Sequence, residues 1–273
     1  MRHGRTQLIR IIFTALLTAI ILLPIYIMVL SSFKPLQNTF DLRLLPEFKS
    51  LTIDNYRKVL ISQNFLHYIA NTLFVATTVT VTALFFHAMA GYALARLRFV
   101  GKQVIFLWML STLMVPFAVI MIPLFIIVRQ LGITNTLWGI IIPMIPNAYG
   151  IFLFRQFFLG VPRELEESAM IDGLSYFGIF FRIVAPLSRA ISLTLAVAFF
   201  VANWNNYLWP LIVSQKRSIW MVQIAIANFR GEHTVDWNLI LAASCIAVVP
   251  TILLFFLFQR YLVEGIKMSG IKM

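Results

Sequence analysis

The sequence predicts an all-α membrane protein with six transmembrane helices, and three observations carry that reading. Of 273 residues, 60% are hydrophobic and only 12% are charged, with a mean hydropathy of +0.89. A soluble domain of this size has too much surface to hide so much apolar matter. Six runs reach the roughly 17 to 25 residues that a helix needs to cross a bilayer. Each is continuously apolar for about twice the length of a barrel strand, whose side chains would alternate, so a β-barrel is excluded.

The spans fall at residues 11–30, 68–94, 104–128, 131–154, 190–213 and 239–258. Residues 1–10 form an N-terminal segment, 31–66 a long outer loop, 160–185 a polar loop and 261–273 a tail. The apolar run of the first span is too long for a signal peptide, and the SSFKP behind it lacks a small-x-small cleavage site, so the span is expected to remain. Pro24, Pro116, Pro123, Pro143, Pro146, Pro210 and Pro250 lie within spans. A packed bundle tolerates such prolines and they bend helices, which suits a gated pathway. Proline is also simply common in membrane helices.

An even number of spans puts both termini on one side. With both termini cytoplasmic, 13 of the 22 lysines and arginines fall on inner segments and nine on outer ones, five of those nine in the outer loop between Lys34 and Lys58. The excess follows the positive-inside rule. The net charge of +12 sits in short groups between apolar runs, which is anchoring and topology rather than a nucleic-acid face. Membrane lipid is the surrounding medium. The single cysteine, Cys245, lies in an apolar run and excludes an internal disulfide.

Enzymatic chemistry finds no constellation. His3, His67, His87 and His233 are scattered, no H-E-x-x-H occurs, and Cys245 has no histidine near it in sequence, so no catalytic or metal site is expected. His87 alone lies deep in a span, where a helix–helix hydrogen bond is the ordinary role of a buried polar group. A proton-coupled carrier would hold a carboxylate within its spans, and all ten acidic residues fall in loops or termini.

Three of those ten lie in EESAMIDG, residues 166–173. Pro162 suits a helix start, Glu164, Glu166 and Glu167 favour a first turn through the helix dipole, and Gly173 suits a left-handed residue after the helix end. Leu165, Ala169 and Asp172 then share one face. Ser175 is placed to cap a second helix running to Ala185, before Pro186 opens the fifth span. The result is a helical hairpin outside the membrane. An amphipathic connector on anionic lipid would prefer Lys and Arg to three glutamates, so docking to a protein partner fits this composition better.

Glu167-Ser168-Ala169-x-x-Asp172-Gly173, with Ile183 and Pro186 behind it, resembles the coupling loop of permease subunits of binding-protein-dependent ABC importers. Ser168 stands where the family has alanine. SSFKP, LTIDNY, NTLFV, GYALAR, NWNNYLWPL and FQRYLVEG extend the resemblance over most of the chain, to the carbohydrate-uptake branch and its maltose-type permease without a large periplasmic insertion. The ending GIKMSGIKM departs from the small-residue ending of the family.

The resemblance implies a type I ABC importer permease fold, with an ABC transmembrane type-1 domain over 67–260. It implies a prokaryotic inner or plasma membrane and a hairpin, made of Glu167, Ser168, Ala169, Asp172, Gly173 and Pro186, that couples to an ATPase. The partners implied are an ATP-binding subunit dimer, a second homologous permease and an extracytoplasmic solute-binding protein. This chain has no G-x-x-x-x-G-K-[ST] loop, so it is expected to hold no cofactor, ATP and Mg being bound by the ATPase. A channel or scaffold subunit that binds a soluble partner through the same hairpin is the competing reading.

The fifth span ends in Asn203-Trp204-Asn205-Asn206-Tyr207-Leu208-Trp209-Pro210. Amides exchange hydrogen bonds with hydroxyls, and aromatic rings cover the apolar face of a pyranose, so Asn203, Asn205, Asn206 and Tyr207 are expected to face a pathway for a sugar or similar polyhydroxylated solute. Glycerol phosphate is an alternative cargo. Trp204 and Trp209 read equally as interfacial anchors.

Overall fold

The computed structural model describes residues 2–39, 51–230 and 235–270. Part of the outer loop, 40–50, and the last three residues of the tail lie outside them. Among the described residues there is no β-strand, only an isolated bridge between Arg230 and Val235. The chain forms two compact units, one made of Met1–His67 and Ile224–Val249 and the other of Tyr68–Gln223 and Pro250–Met273.

In the first unit, α1 (Arg2–Ser32) runs through Pro24 without ending. Beyond it lie α2 (Asp54–Arg57) and, from the late part of the chain, most of α13 (Val222–Asn228) and the start of α14 (Trp237–Gly270). A buried amide cluster explains the motifs SSFKP and LTIDNY. The Asn55 carboxamide donates to the carbonyls of Ser32 (2.8 Å) and Lys34 (2.9 Å) and accepts from Asn238 at 2.7 Å. It thereby occupies one carbonyl that the end of α1 leaves without a partner, that of Ser32, and the carbonyl of Lys34 just beyond it. Tyr56 bonds Ser32 at 2.7 Å, and burial pushes its phenol above the usual tyrosine range.

The second unit is a helical bundle. Its longest uninterrupted rod is α3 (Phe65–Arg96), 32 residues with no proline. Behind it come α4 (Lys102–Ser111), α5 (Phe117–Gln130), α6 (Leu137–Met144), α7 (Ala148–Leu159), α8 (Glu164–Ile171), α9 (Tyr176–Ile179), α10 (Ala185–Leu187), α11 (Arg189–Trp204) and α12 (Leu208–Val213). Among the described residues, only Arg10–Ser32, Phe65–Arg96 and Trp237–Arg260 are long and apolar enough to cross a membrane as single helices. The other three expected spans are broken.

The run 104–128 bends by 107° between Met114 and Phe117. Pro116 excludes the preceding residue from helical backbone, and Val115 sits at φ −90°, ψ 116°. The run 131–154 becomes α6 and α7, bent by 41° around Pro146. The expected fifth span, 190–213, begins as α11 and stops at Asn205, with α12 resuming at Leu208. Pro186 does not open it: that residue lies inside α10, and the chain turns by 74° at the next break, Ser188.

Two apolar cores divide this unit. One gathers Ala88, Tyr92, Phe154, Phe158, Ala169 and Phe180 at the end where α3 finishes. The other gathers Val75, Val79, Ile140, Ile141, Trp209 and Met221 at the end where α3 begins. Within the first of them α3 and α7 approach closely. A Cβ on Gly91 would lie 2.7 Å from the Phe154 Cβ and 2.9 Å from the Arg155 nitrogen, so glycine is required at this crossing.

Candidate functional site

The helix α8 begins with three glutamates in its first turn, which the positive end of the helix dipole favours. It ends in a Schellman motif: the Gly173 N–H donates to Met170 O and the Leu174 N–H to Ala169 O, each at 3.0 Å. Gly173 carries φ +82°, the left-handed conformation that motif needs. Ser175 then caps α9, accepting from the Gly178 N–H at 3.3 Å. The second arm does not end at Ala185 as expected. It runs from α9 through a π-helical turn, Phe180–Val184, into α10.

The faces of α8 differ from the expected ones. Of Leu165, Ala169 and Asp172, only Ala169 is buried, at 3% exposure, and it packs in its own chain against the core containing Tyr92 and Phe158. Its small side chain lets α8 approach the bundle, so it offers no free surface. Leu165, Glu167, Ser168 and Asp172 point outward with Ile171, which is 87% exposed. That outward face combines apolar and acidic groups.

A second buried residue of α8 was not singled out by sequence reasoning. Glu166, 6% exposed, pairs with Arg96, the last residue of α3, at 2.8 Å. The Tyr92 hydroxyl donates to its other oxygen at 3.3 Å, while Tyr92 packs edge-on to Phe158 at 5.9 Å. Arg96 also donates to the carbonyl of Val161, in the turn ahead of α8. The signals were available: Glu166 sits one turn before Ala169 on the same face, and GYALAR ends a span with an arginine.

Other cations serve the same end of α3. Lys102 donates to the carbonyls of Ala95 (3.1 Å) and Leu97 (3.0 Å), and Arg155 donates to Leu94 O at 3.2 Å with its guanidinium 3.9 Å over the Phe106 ring. Positive groups there complement the negative end of the helix dipole. Arg98, Arg163 and Glu167 line an adjoining polar cavity of about 450 Å³.

The carboxamide-rich break lies at the other end of α11. The 16 residues of that helix span about 24 Å at 1.5 Å per residue, so the hairpin and the break are separate sites. Here the asparagines first answer the backbone. Asn203 and Asn205 return their amides to the carbonyls of Phe199 (2.9 Å) and Val201 (3.0 Å), one turn back, and Asn206 reaches the Met144 sulfur at 3.4 Å. Asn205 and Tyr207 are exposed, Asn203 and Asn206 half-buried. Trp204 and Trp209 are 1% and 0% exposed, so both are core residues and not interfacial anchors.

The loop beyond the break is pinned to the start of α3. Asn71 donates to the carbonyls of Ser218 (3.0 Å) and Trp220 (3.1 Å), Thr72 accepts from the Val222 N–H at 2.8 Å, and Gln223 reaches Asn205 at 3.3 Å. His87 plays the expected helix-bridging role. Its Nε2 lies 2.9 Å from Ile145 O and 3.1 Å from the Asn147 nitrogen, the backbone groups that the α6–α7 break leaves open. Among the described residues no group of three or more His, Cys, Asp or Glu is placed to hold a metal.

A family model described as "Binding-protein-dependent transport system inner membrane component" matches residues 87–268, which include both sites. The chain belongs to that family. The permease is 33% identical to the arabinooligosaccharides transport system permease protein AraQ of Halalkalibacterium halodurans over 94% of each chain. It is 32% identical to the trehalose/maltose transport system permease protein MalG of Thermococcus litoralis, covering 100% of this chain and 99% of that one. In fold it matches a chain of a bacterial ABC transporter involved in import of the acidic polysaccharide alginate, with a TM-score of 0.83 at 23% identity over 96% and 98% of the two chains. As an inner membrane component of a binding-protein-dependent system, this permease works with a solute-binding protein.

Proposed function

We propose that this permease is one half of the translocation pathway of an ATP-driven carbohydrate importer, with both termini and the hairpin in the cytoplasm. The observation that carries the reading is the outward face of α8. Leu165, Ile171 and Asp172 are exposed along the first arm of a capped hairpin beside Glu167 and Ser168, a surface suited to a cleft in an ATPase. Gly173 sets the angle between the two arms and Ala169 holds the first arm against the bundle. Pro186 lies in the second arm, where it leads into the turn before α11. ATP and Mg belong to the partner, and a second permease of the same family closes the pathway. Asn205 and Tyr207, exposed at the helix break, present an amide and a phenol to a polyhydroxylated solute, with Asn203 and Asn206 shaping the break behind them. The relatives named for arabinooligosaccharides and trehalose/maltose support an oligosaccharide.

The test is reconstitution in proteoliposomes with the second permease, the ATPase and the binding protein, offering arabinotriose, maltose, trehalose, lactose and sn-glycerol 3-phosphate. ATP-dependent accumulation of at least one saccharide is expected. Accumulation of glycerol phosphate alone, or active transport by this chain paired only with a second copy of itself, would sink the reading.

A further inference from the structure

We infer that Arg96, Glu166 and Tyr92 are positioning residues that carry movement of α8 into α3, so that the stroke enters the bundle through the second span. The inference rests on the reading of α8 as the ATPase-docking helix. It starts from how little of α8 is held. Only Glu166 and Ala169 are buried, so the helix is attached to its own chain by one methyl group and one carboxylate. A methyl contact resists compression but permits sliding. A carboxylate paired by charge with the Arg96 guanidinium at 2.8 Å and hydrogen-bonded through its other oxygen by the Tyr92 hydroxyl at 3.3 Å is held from two sides.

Arg96 grips both sides of the entry to α8, since it also binds the carbonyl of Val161. It terminates a proline-free helix of 32 residues, about 48 Å long at 1.5 Å per residue. A displacement at its end therefore reaches Asn71 and Thr72, which pin the loop at the far end of the unit. The covalent route from α8 to α11 is softer. It passes the left-handed Gly173, the π-helical turn Phe180–Val184 and the 74° bend at Ser188. Bistable motion travels along stiff packed elements, and α3 is the stiff one.

Burial energy alone does not explain the ion pair. Replacing a buried pair by apolar side chains of similar volume is often neutral or stabilising, because desolvation offsets the Coulomb gain. A purely structural bond is therefore replaceable, whereas a directional one is not. The deciding variant is the double substitution Arg96→Met/Glu166→Leu, which leaves no lone charge. It is tested in the complete reconstituted transporter, with arabinotriose and maltose as probes and wild type as reference.

The expected result is normal melting temperature and normal co-purification of the ATPase, with solute moved per ATP hydrolysed lowered about tenfold, within the usual range of coupling between distant sites. An unchanged ratio overturns the inference. Loss of ATPase co-purification in the double variant overturns it too, since the pair would then shape the docking face instead of the force path. Failure of the wild-type chain to bind the ATPase at all would instead sink the docking reading. Should the double variant not reach the membrane, Tyr92→Phe decides the matter. It removes one hydroxyl and keeps the rings packed on Phe158 and Phe180. A ratio lowered about fivefold at normal yield is expected, the low end of coupling between distant sites, and a wild-type ratio overturns the inference.

Discussion

The two ends of the helical unit are joined by different chemistry. At the hairpin end, α8 itself is fastened side chain to side chain, Arg96 and Tyr92 to Glu166 with aromatic ring against aromatic ring, while Arg96, Lys102 and Arg155 also cap nearby carbonyls. At the opposite end, polar side chains turn mainly to backbone: Asn71, Thr72 and the amide nitrogens of Asn203 and Asn205 bond main-chain groups, while the Asn205 oxygen accepts from Gln223. The difference follows from what each end must hold. A regular helix such as α8 has its inner backbone satisfied, so only side chains are left to fasten it. A loop or helix break exposes main-chain donors and acceptors, and amides are the side chains that answer both kinds. Breaking the first kind of bond strands a charge, and breaking the second strands a neutral group, so their costs differ.

The largest effect is expected from unpairing the hairpin end. Glu166→Leu alone leaves the Arg96 guanidinium buried and uncompensated, a loss of about 3–5 kcal/mol. The folded, monodisperse yield in detergent should collapse, while Arg96→Met/Glu166→Leu recovers it. Equal yields from the single and double variants would remove the charge asymmetry from the comparison.

Next comes Ala169→Asp. Because Ala169 is packed against its own chain, the variant buries an unpaired carboxylate and should lower folded yield before any ATPase is added. Ile171→Asp, on the outward face, should leave yield normal and reduce ATPase co-purification. If the two variants behave alike, the face assignment fails.

At the opposite end, Asn71→Leu strands the carbonyls of Ser218 and Trp220, at a cost of about 1–3 kcal/mol. A lowered melting temperature with the complex still assembled is the expected outcome. Thr72→Ser, which keeps the hydroxyl and deletes only a buried methyl group, should cost less, about 1 kcal/mol. The smallest structural effect belongs to Asn205→Leu, an exposed position where stability should stay within about 0.5 kcal/mol. Its saccharide uptake rate should nevertheless fall, and unchanged uptake would reduce Asn205 to a helix stop.

Much of the hairpin was legible because its signals are local. Acidic residues mark a helix start, Gly173 lies where φ is positive, and Ser175 lies three residues ahead of the N–H it caps. The helical class was equally legible, since apolar run length reports the solvent directly. Directions were not. Hydropathy makes the run 104–128 continuous, but the 107° bend depends on where a proline forces one residue out of the helix. Trp204 and Trp209 carry the composition of an interface, yet neighbours distant in sequence bury them. Glu166 reads as one more favourable first-turn acid until Arg96, 70 positions earlier in the sequence, is brought beside it.

The amide cluster of the first unit imposes a timetable on biosynthesis. Asn55 accepts its bond from Asn238, 183 positions later. At roughly 5 to 20 residues per second, the ribosome delivers that donor on the order of ten to forty seconds after the acceptor has emerged. Throughout that interval the end of α1 is fastened to Asn55 on one side only. The first helix made is therefore among the last to be locked, since a nascent chain that has not yet reached Asn238 holds the Asn55 oxygen without its donor.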